Sequence, residues 1–563
     1  VTLLEEWEDT GGDIGDLDEL ATWIGEETED ATLCKKCHSE GSTRAEVLHN
    51  VGAVSVSCRC GVDLVHEVRR FLGLPADTPL VAVPFIDNTG PVSQRVELYA
   101  ETLAKLQRFR PQVFRCGGRL VSVVNGKAEP VSTLLLTRRL GEVTRTIGRR
   151  PVAPIDPPAA IVNAIRESAD EWKTFPVLDR IVSVPVLLAD GRTLTRPGYD
   201  DVSCTFYAPS VEGLTVPDTI TREDVDAAVE LITITLLGDF PFETNADRAN
   251  AVACMLQAFV RAQIHGPCPM SDFDAPQSRT GKTKLCELVL LPSCGEVTST
   301  GFPKSPGKQE KELLDELRKA PAAVMFDNVT GQIDSEVFER ILTAGSGTTS
   351  ILDVNTSHKV TVNIHQTFCM TTNNGLFGLS MHPRVLPIRI DARCEHPEER
   401  TGPTPGTTWR HKNVEAWAHE HRAELITACL TLCTWWEQEG RPVPVIPPHA
   451  VMGGFEGWQH TLGGILQSVG IDGFCENLAD WRESTPENAE RAERLRKLHA
   501  KFGDDPFTAA QCVDAKLGGR GQTPKSFGMA LSSDRDAPAG GLVLRRVPDP
   551  GRRDSTRYVV ESR

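Results

Sequence analysis

Apolar and polar positions change rhythm several times along the chain, and the changes divide it. The first thirty or so residues, VTLLEEWEDTGGDIGDLDELATWIGEETED, mix acids and glycines with too few apolar side chains to fold alone. They predict a mobile acidic arm or a segment docked on a partner. Between 67 and 215 the texture is mixed α/β. GGRLVSVVNG at 117–126 and VPVLLADGRTLTRPGYDD at 184–201 read as β-hairpins, the second turning at Asp190-Gly191. From about 216 to 400 helical and strand periods alternate. In DRANAVACMLQAFVRAQI, 247–264, the residues Val252, Met255, Leu256, Phe259 and Val260 share one helical face. PAAVMFDNVT at 321–330 and QTFCMTTNN at 366–374 are short apolar runs ending in polar residues, the pattern of buried strands. Residues 401–483 read as mostly helical and are rich in tryptophan. The last eighty open on a charged helix and close on GLVLRRVPDPGRRDSTRYVV, two β-runs around a basic turn, the outline of a winged helix.

Length turns these segments into domains. A chain of 563 residues is too long for one core. The expected organisation is an acidic arm (1–33), a zinc ribbon (34–66), an α/β region (67–215), an ATPase domain (216–400), a helical domain (401–483) and a winged-helix-like DNA-binding domain (484–563). No apolar run approaches the ~18 residues of a membrane span. Neither a basic leader nor an apolar core marks a secretory signal, so a cytoplasmic protein without a membrane partner is expected. The 16 cysteines then read as thiols and metal ligands rather than a disulfide scaffold. The net charge of -17 argues against nucleic acid only until it is placed: residues 1–40 hold 13 acidic and 2 basic side chains, whereas 484–563 hold 15 basic and 11 acidic.

The first chemical motif is a pair of cysteine clusters. Cys34 and Cys37, followed by His38, precede twenty residues of strand-like alternation that end at Cys58 and Cys60. Four thiolates so spaced can close a tetrahedron around zinc, the metal replacing a core that ~30 residues cannot build, with His38 able to stand in for one cysteine. No paired aspartates of a primase or nuclease appear between 67 and 215; DLDEL at 16–20 has the letters but lacks flanking strand residues. Any primase would be a separate partner.

The second motif is DAPQSRTGKTKLCELVLL, beginning at Asp274. Gly281, Lys282 and Thr283 form the GKT of a phosphate loop, in which backbone N–H groups wrap phosphates, the lysine reaches the β/γ oxygens and the threonine ligates magnesium. The opening glycine is replaced by Pro276, and the loop carries Gln277, Ser278, Arg279 and Thr280. An ordered set follows. Asp327 and Asn328 end one apolar run, in the place of a magnesium-side carboxylate; Asn373 and Asn374 end the next, able to orient a water near the γ-phosphate. Arg384 follows in MHPRVLPIRID.

With these residues in view, the segment 216–480 resembles the AAA+ helicase domain of superfamily 3, more closely the helicase and primase-helicase proteins of actinobacterial phages, prophages and integrative elements. The matching stretches are GDFPF and DRA at 238–249, DAPQSRTGKT, VMFDNVTG, TTNN, the Arg384 segment and FEGWQHTLGGIL at 455–466. The resemblance implies a multi-domain α/β protein with an AAA+ P-loop core. It implies Lys282 and Thr283 as the Walker A pair, Asp327 and Asn328 as the Walker B pair, Asn373 as sensor 1 and Arg384 as an arginine finger acting on a neighbouring subunit. Asn328 stands where many AAA+ enzymes carry a catalytic glutamate, leaving the general base open. Between Asp327 and Asn373, SILDVNTSHKVTVNIHQ alternates Val360, Val362 and Ile364 behind a polar tip. In superfamily 3 a hairpin here presents a Lys/His pair to DNA, and His358 and Lys359 match it by position. The expected protein is a ring-forming, hexameric helicase using ATP, magnesium and zinc on single-stranded or forked DNA. An AAA+ loader that does not unwind, and a non-enzymatic DNA-binding module, are the alternatives.

Overall fold

The computed structural model describes residues 20, 24, 45–50, 53–58, 65–72, 74, 78, 80–81, 91–106, 112–143, 157–168, 173–211, 213–214, 219–303, 305–344, 347–355, 357–403, 406–483, 486–517, 523–548 and 556–562. Within the acidic stretch, Leu20 and Ile24 lie one helical turn apart and are fully buried. Strands β1 (Ala45–Asn50) and β2 (Ala53–Cys58) pair antiparallel, Ala45 opposite Cys58. Cys34, Cys37, His38 and Cys60 lie outside the described residues, as does the side chain of Cys58.

The protein is a mixed α/β, multi-domain chain with separate cores. An N-terminal core gathers α1 (Val92–Leu106), α2 (Thr133–Val143) and α3 (Ala159–Glu167) around Tyr99, Leu103, Leu136 and Ile161. Beside it, β3 (Phe114–Cys116), β4 (Arg119–Val124) and β5 (Lys127–Pro130) form an antiparallel meander. Its turns use Gly117, Gly118, Asn125 and Gly126, all at positive φ. The hairpin expected at Asp190-Gly191 is present but short: β6 (Val186–Leu187) pairs with β7 (Thr193–Leu194).

The central unit is a parallel sheet. Helix α4 (Asn245–Val260) opens with a capping box, Thr244 and Asp247 each bonding the other's backbone N–H. It leads to β8 (Met270–Ala275), then α5 (Lys282–Cys294), β9 (Ser299–Thr300), α6 (Pro306–Leu317) and β10 (Ala323–Val329). A hairpin of β11 (Thr348–Asp353) and β12 (His358–Asn363) precedes β13 (Thr367–Asn373) and β14 (Val385–Arg389). The sheet order is β9-β10-β13-β8-β14, every neighbour parallel. Both faces are covered, which is why β10, β13 and β14 carry the apolar runs AVMF, FCM and VLPI. Alternate residues serve two cores, Met325 and Cys369 facing one and Phe326, Phe368 and Met370 the other. The first core extends through α4 and α5 into α7 (Arg422–Gln438) and α8 (Glu456–Ser468). That coverage corrects one expectation: α4 has no single apolar stripe, because nearly all of it is buried, Asn250 and Gln257 included.

The C-terminal unit has its own core around Leu495, Phe507, Phe527, Leu531 and Val560. Its order is α9 (Pro486–Phe502), β15 (Phe507–Thr508), α10 (Ala509–Asp514), α11 (Pro524–Asp534), then β16 (Leu542–Val547) paired antiparallel with β17 (Arg557–Ser562). Among the described residues no helix is long and apolar enough to cross a membrane.

Candidate nucleotide site

Register decides which side chains meet at the end of β8. Ala275, its last residue, pairs with Asn373 of β13, and Asp274 pairs with Arg389 of β14. The chain then leaves the sheet through 276–281 and enters α5, whose first N–H groups have no intrahelical acceptor. Two residues force the loop into shape: Arg279 at φ 64° and Gly281 at φ 106°, the latter a conformation only glycine adopts readily. The loop is braced from several directions. The Thr280 hydroxyl donates to the Gln277 carbonyl at 2.9 Å, Arg400 donates to the Thr280 carbonyl at 3.0 Å, and Arg279 pairs with Glu398 at 3.1 Å. Asn374 Nδ2 reaches the Pro276 carbonyl at 3.5 Å, while Gln277 and Ser278 are exposed.

Four expected residues come together here. Lys282, 7% exposed, donates from Nζ to Asn373 Oδ1 at 2.5 Å. The Thr283 hydroxyl donates to Asp327 Oδ1 at 2.9 Å, and the Thr371 hydroxyl to the same oxygen at 2.6 Å. Asp327 is turned toward the loop by a bulge: pairing between β10 and β13 shifts between Phe326 and Val329, and Asn328 takes φ 52° with its N–H on Thr371 Oγ1 at 2.8 Å. The Asn328 side chain is exposed. Burial lowers the pKa of Lys282, opposed chiefly by the nearby carboxylates of Asp274 and Asp327. A Thr hydroxyl in contact with a carboxylate is an all-oxygen donor pair that suits magnesium, which needs only one or two protein carboxylates when phosphates complete its shell.

Arg384 stands apart from this group. Half-buried on a short 3₁₀ turn, it donates from Nη1 to the Ser380 carbonyl of its own segment. His358 and Lys359 are exposed at the start of β12, also away from the loop.

Sequence reading missed a buried acidic pair beneath the loop. The Thr372 hydroxyl lies 2.9 and 3.0 Å from the two Asp272 oxygens and 3.0 Å from Asp274 Oδ1. One hydroxyl has one proton to donate, so the second bond needs a protonated carboxyl. Burial, then the Asp274 charge, pushes Asp272 well above the carboxylate range and makes it the protonated partner. Arg389 holds the other end, bonded to Asp274 and to Asn374 Oδ1 at 3.0 Å and paired with Glu243 at 2.9 Å. The readable signal was two acids, DFD at 272–274, inside an otherwise buried strand. Also missed was the space beside the loop, a cavity of about 470 Å³ whose walls include Phe240, Gly281, Arg400, Trp409 and His411. Its walls are largely charged and polar, with Phe240 and Trp409 as the aromatic surfaces beside the loop on which a flat heterocycle can stack.

No family model and no curated protein matches this chain. Solved structures with some likeness include an active helicase, SCCmec type IV Cch, at 10% identity and TM-score 0.33, covering 79% of this chain and 90% of that one. The JCV helicase is 14% identical at TM-score 0.19, covering 44% and 67%, and the apo C-terminal region of NrS-1 is 10% identical at 0.23, covering 60% and 67%. At such scores function is read from the residues.

Proposed function

We propose that this chain is an ATP-hydrolysing DNA motor, an AAA+ ATPase similar to the superfamily 3 helicases, working as a ring of identical subunits, a hexamer by the pattern of that family. The observation that carries the reading is the meeting of Lys282, Thr283, Asp327 and Asn373 at the carboxyl ends of three parallel strands beside the 276–281 loop. In this reading the loop N–H groups and the α5 N-terminus cradle the phosphates of ATP, and the base lies against Phe240 and Trp409. Lys282 exchanges its bond to Asn373 for a phosphate oxygen, which frees the Asn373 amide to orient the attacking water. Thr283 and Asp327 would hold magnesium, which when bound would supply positive charge against the transferred phosphoryl group. Arg384, whose side chain bonds the Ser380 carbonyl of its own segment and no other described residue, is placed by this reading in the neighbour's site, where a guanidinium raises phosphoryl-transfer rates by roughly 10³–10⁵.

The β11–β12 hairpin, with His358 and Lys359, would carry the DNA contact. The C-terminal order of helix, short strand, two helices and hairpin supports a winged helix, with Lys525 of α11 and Arg545 and Arg546 of β16 facing a duplex. A zinc ribbon at Cys34, Cys37, Cys58 and Cys60 and a separate primase partner belong to the same proposal. ATP turnover of the full chain, with and without single-stranded DNA, tests it. DNA should stimulate turnover, and Lys359→Ala should lower the stimulated rate far more than the DNA-free rate; equal loss of both would count against the hairpin's role.

A further inference from the structure

Strand alternation gives β12 two faces. Val360 and Val362 enter the core, and Lys359, Thr361 and Asn363 take the other side. That side, on which Lys359 and Thr361 are exposed, faces the N-terminal region. With Arg115, Gly117 and Gly118 at the β3–β4 turn, and with Leu178, Asp179 and Leu317, it walls a cavity of about 380 Å³. Two cations line this space from different domains, and neither Arg115 nor Lys359 is ion-paired to a described residue. The only acid among the described residues of the wall, Asp179, is engaged: it accepts from Asn363 Nδ2 at 2.5 Å, and His365 Nε2 stands 3.5 Å from its other oxygen. The cavity therefore has an excess of positive charge.

The two walls are tied together. Arg318, just beyond α6, donates from Nε to the Gly117 carbonyl at 2.8 Å and from Nη2 to Asp353 at 2.6 Å. Asp353 is the β11 residue opposite His358. Gly117 permits the approach: at φ 52° it leaves the space where a Cβ would come within 2.7 Å of Arg318 Cγ. The turn of the N-terminal region is thus fixed against the root of the hairpin.

We propose that this cavity holds a phosphodiester of the single nucleic-acid strand that passes the hairpin, clamped between Arg115 of the N-terminal region and Lys359 of β12. The inference rests on reading the chain as a nucleic-acid motor and goes beyond it by making the N-terminal meander part of the track. The Arg115 Nε donates to the Phe175 carbonyl at 3.1 Å, and its terminal nitrogens, which bond no described residue, are the donors this proposal gives to the phosphate. The Thr361 hydroxyl supplies a third donor on the same face. The site is far too narrow for a duplex, and its contacts are with charge and backbone, so it selects a single strand without reading bases.

The test is fluorescence anisotropy of a labelled oligothymidylate with the full chain over a potassium chloride series, using Arg115→Gln, Thr361→Glu and Lys359→Gln. Unfolding midpoints serve as the check on folding. Each variant should bind several-fold more weakly, and the two neutralising ones should lower the slope of log affinity on log salt by about 0.7, the value for one phosphate on a single strand. The double variant Arg115→Gln/Lys359→Gln should lower it no further than one of them, since both serve one phosphate. Wild-type affinity and slope for Arg115→Gln and Thr361→Glu would overturn the proposal; if Lys359→Gln alone is weakened, the hairpin reading survives and the cavity assignment falls. Loss of neither in any variant would sink both. Displacement of the oligonucleotide by an equal concentration of inorganic phosphate would mark a free-anion site and also overturn it. Should Arg115→Gln fail to fold, Thr361→Glu, on an exposed strand position, decides the matter.

Discussion

Lys282 is buried, yet its hydrogen-bond partner among the described residues is a neutral amide, Asn373. A charge held so is ready for transfer to an anion, because the carboxylates that sustain it lie nearby without bonding it. Lys282→Ala is expected to abolish ATP turnover in a coupled-enzyme assay while leaving the unfolding midpoint within a few degrees of wild type. His382 gives a pH prediction. Stacked on Trp481 at 4.5 Å, with Nε2 buried and unbonded, it has its pKa pushed down to about 4 by burial. The unfolded chain takes up its proton near 6.5 and the folded chain only near 4. Stability is therefore whole above 6.5 and falls as pH drops through that window, by about 3 kcal/mol at most. His382→Phe, which keeps the stack, should flatten the fall in unfolding midpoint between pH 6.5 and 4. At this scale the sequence made the loop, Asp327 and Asn373 legible, because each ends an apolar run. Arg389, Thr371 and Asp272 were not, because their meaning lies in register: nothing in a single chain pairs Asp274 with Arg389 until β8 and β14 are known to be neighbours.

Elements transmit what residues begin. The α6–β10 connection contains Arg318, and β10 carries Asp327 two residues before its end, so one segment links the nucleotide site to the hairpin root. Burial would raise Asp353, but the Arg318 and Asn355 bonds hold it below the usual range, so the pair is ionised and desolvated. Removing one partner of such a pair costs about 3–5 kcal/mol, whereas replacing both by apolar residues is often close to neutral. Arg318→Met should lower the denaturant midpoint sharply, and Arg318→Met/Asp353→Leu should recover much of the loss; no recovery would place Arg318's role elsewhere. The Thr244 cap is a milder case. Thr244→Ala should cost about 1 kcal/mol in denaturant unfolding. It loosens Asp247, which also accepts from the Arg389 N–H and from Asn477. The strands were readable from apolar runs, and the hairpin from the alternation of Val360, Val362 and Ile364. Helix α4 misled because its apolar face was visible while the neighbours that cover its polar face, Pro387 and Asn477 around Asn250, come from 137 and 227 residues away.

Across the whole molecule, the sheet, the N-terminal meander and the hairpin meet at Arg318, so a change at the nucleotide can move the strand clamp without a long relay. Arg384 does not join the nucleotide group of its own chain. If it serves the neighbour, a mixture of Lys282→Ala and Arg384→Ala subunits, each inactive alone, should regain part of the ATP turnover, since some interfaces then pair two intact halves. No regain at any mixing ratio would confine each site to one chain. The most direct measurement for the account is strand displacement on a forked duplex with the full chain and ATP. Displacement that needs ATP and vanishes in Lys282→Ala is the predicted result; brisk ATP turnover with no strand released would contradict a motor and leave a loader.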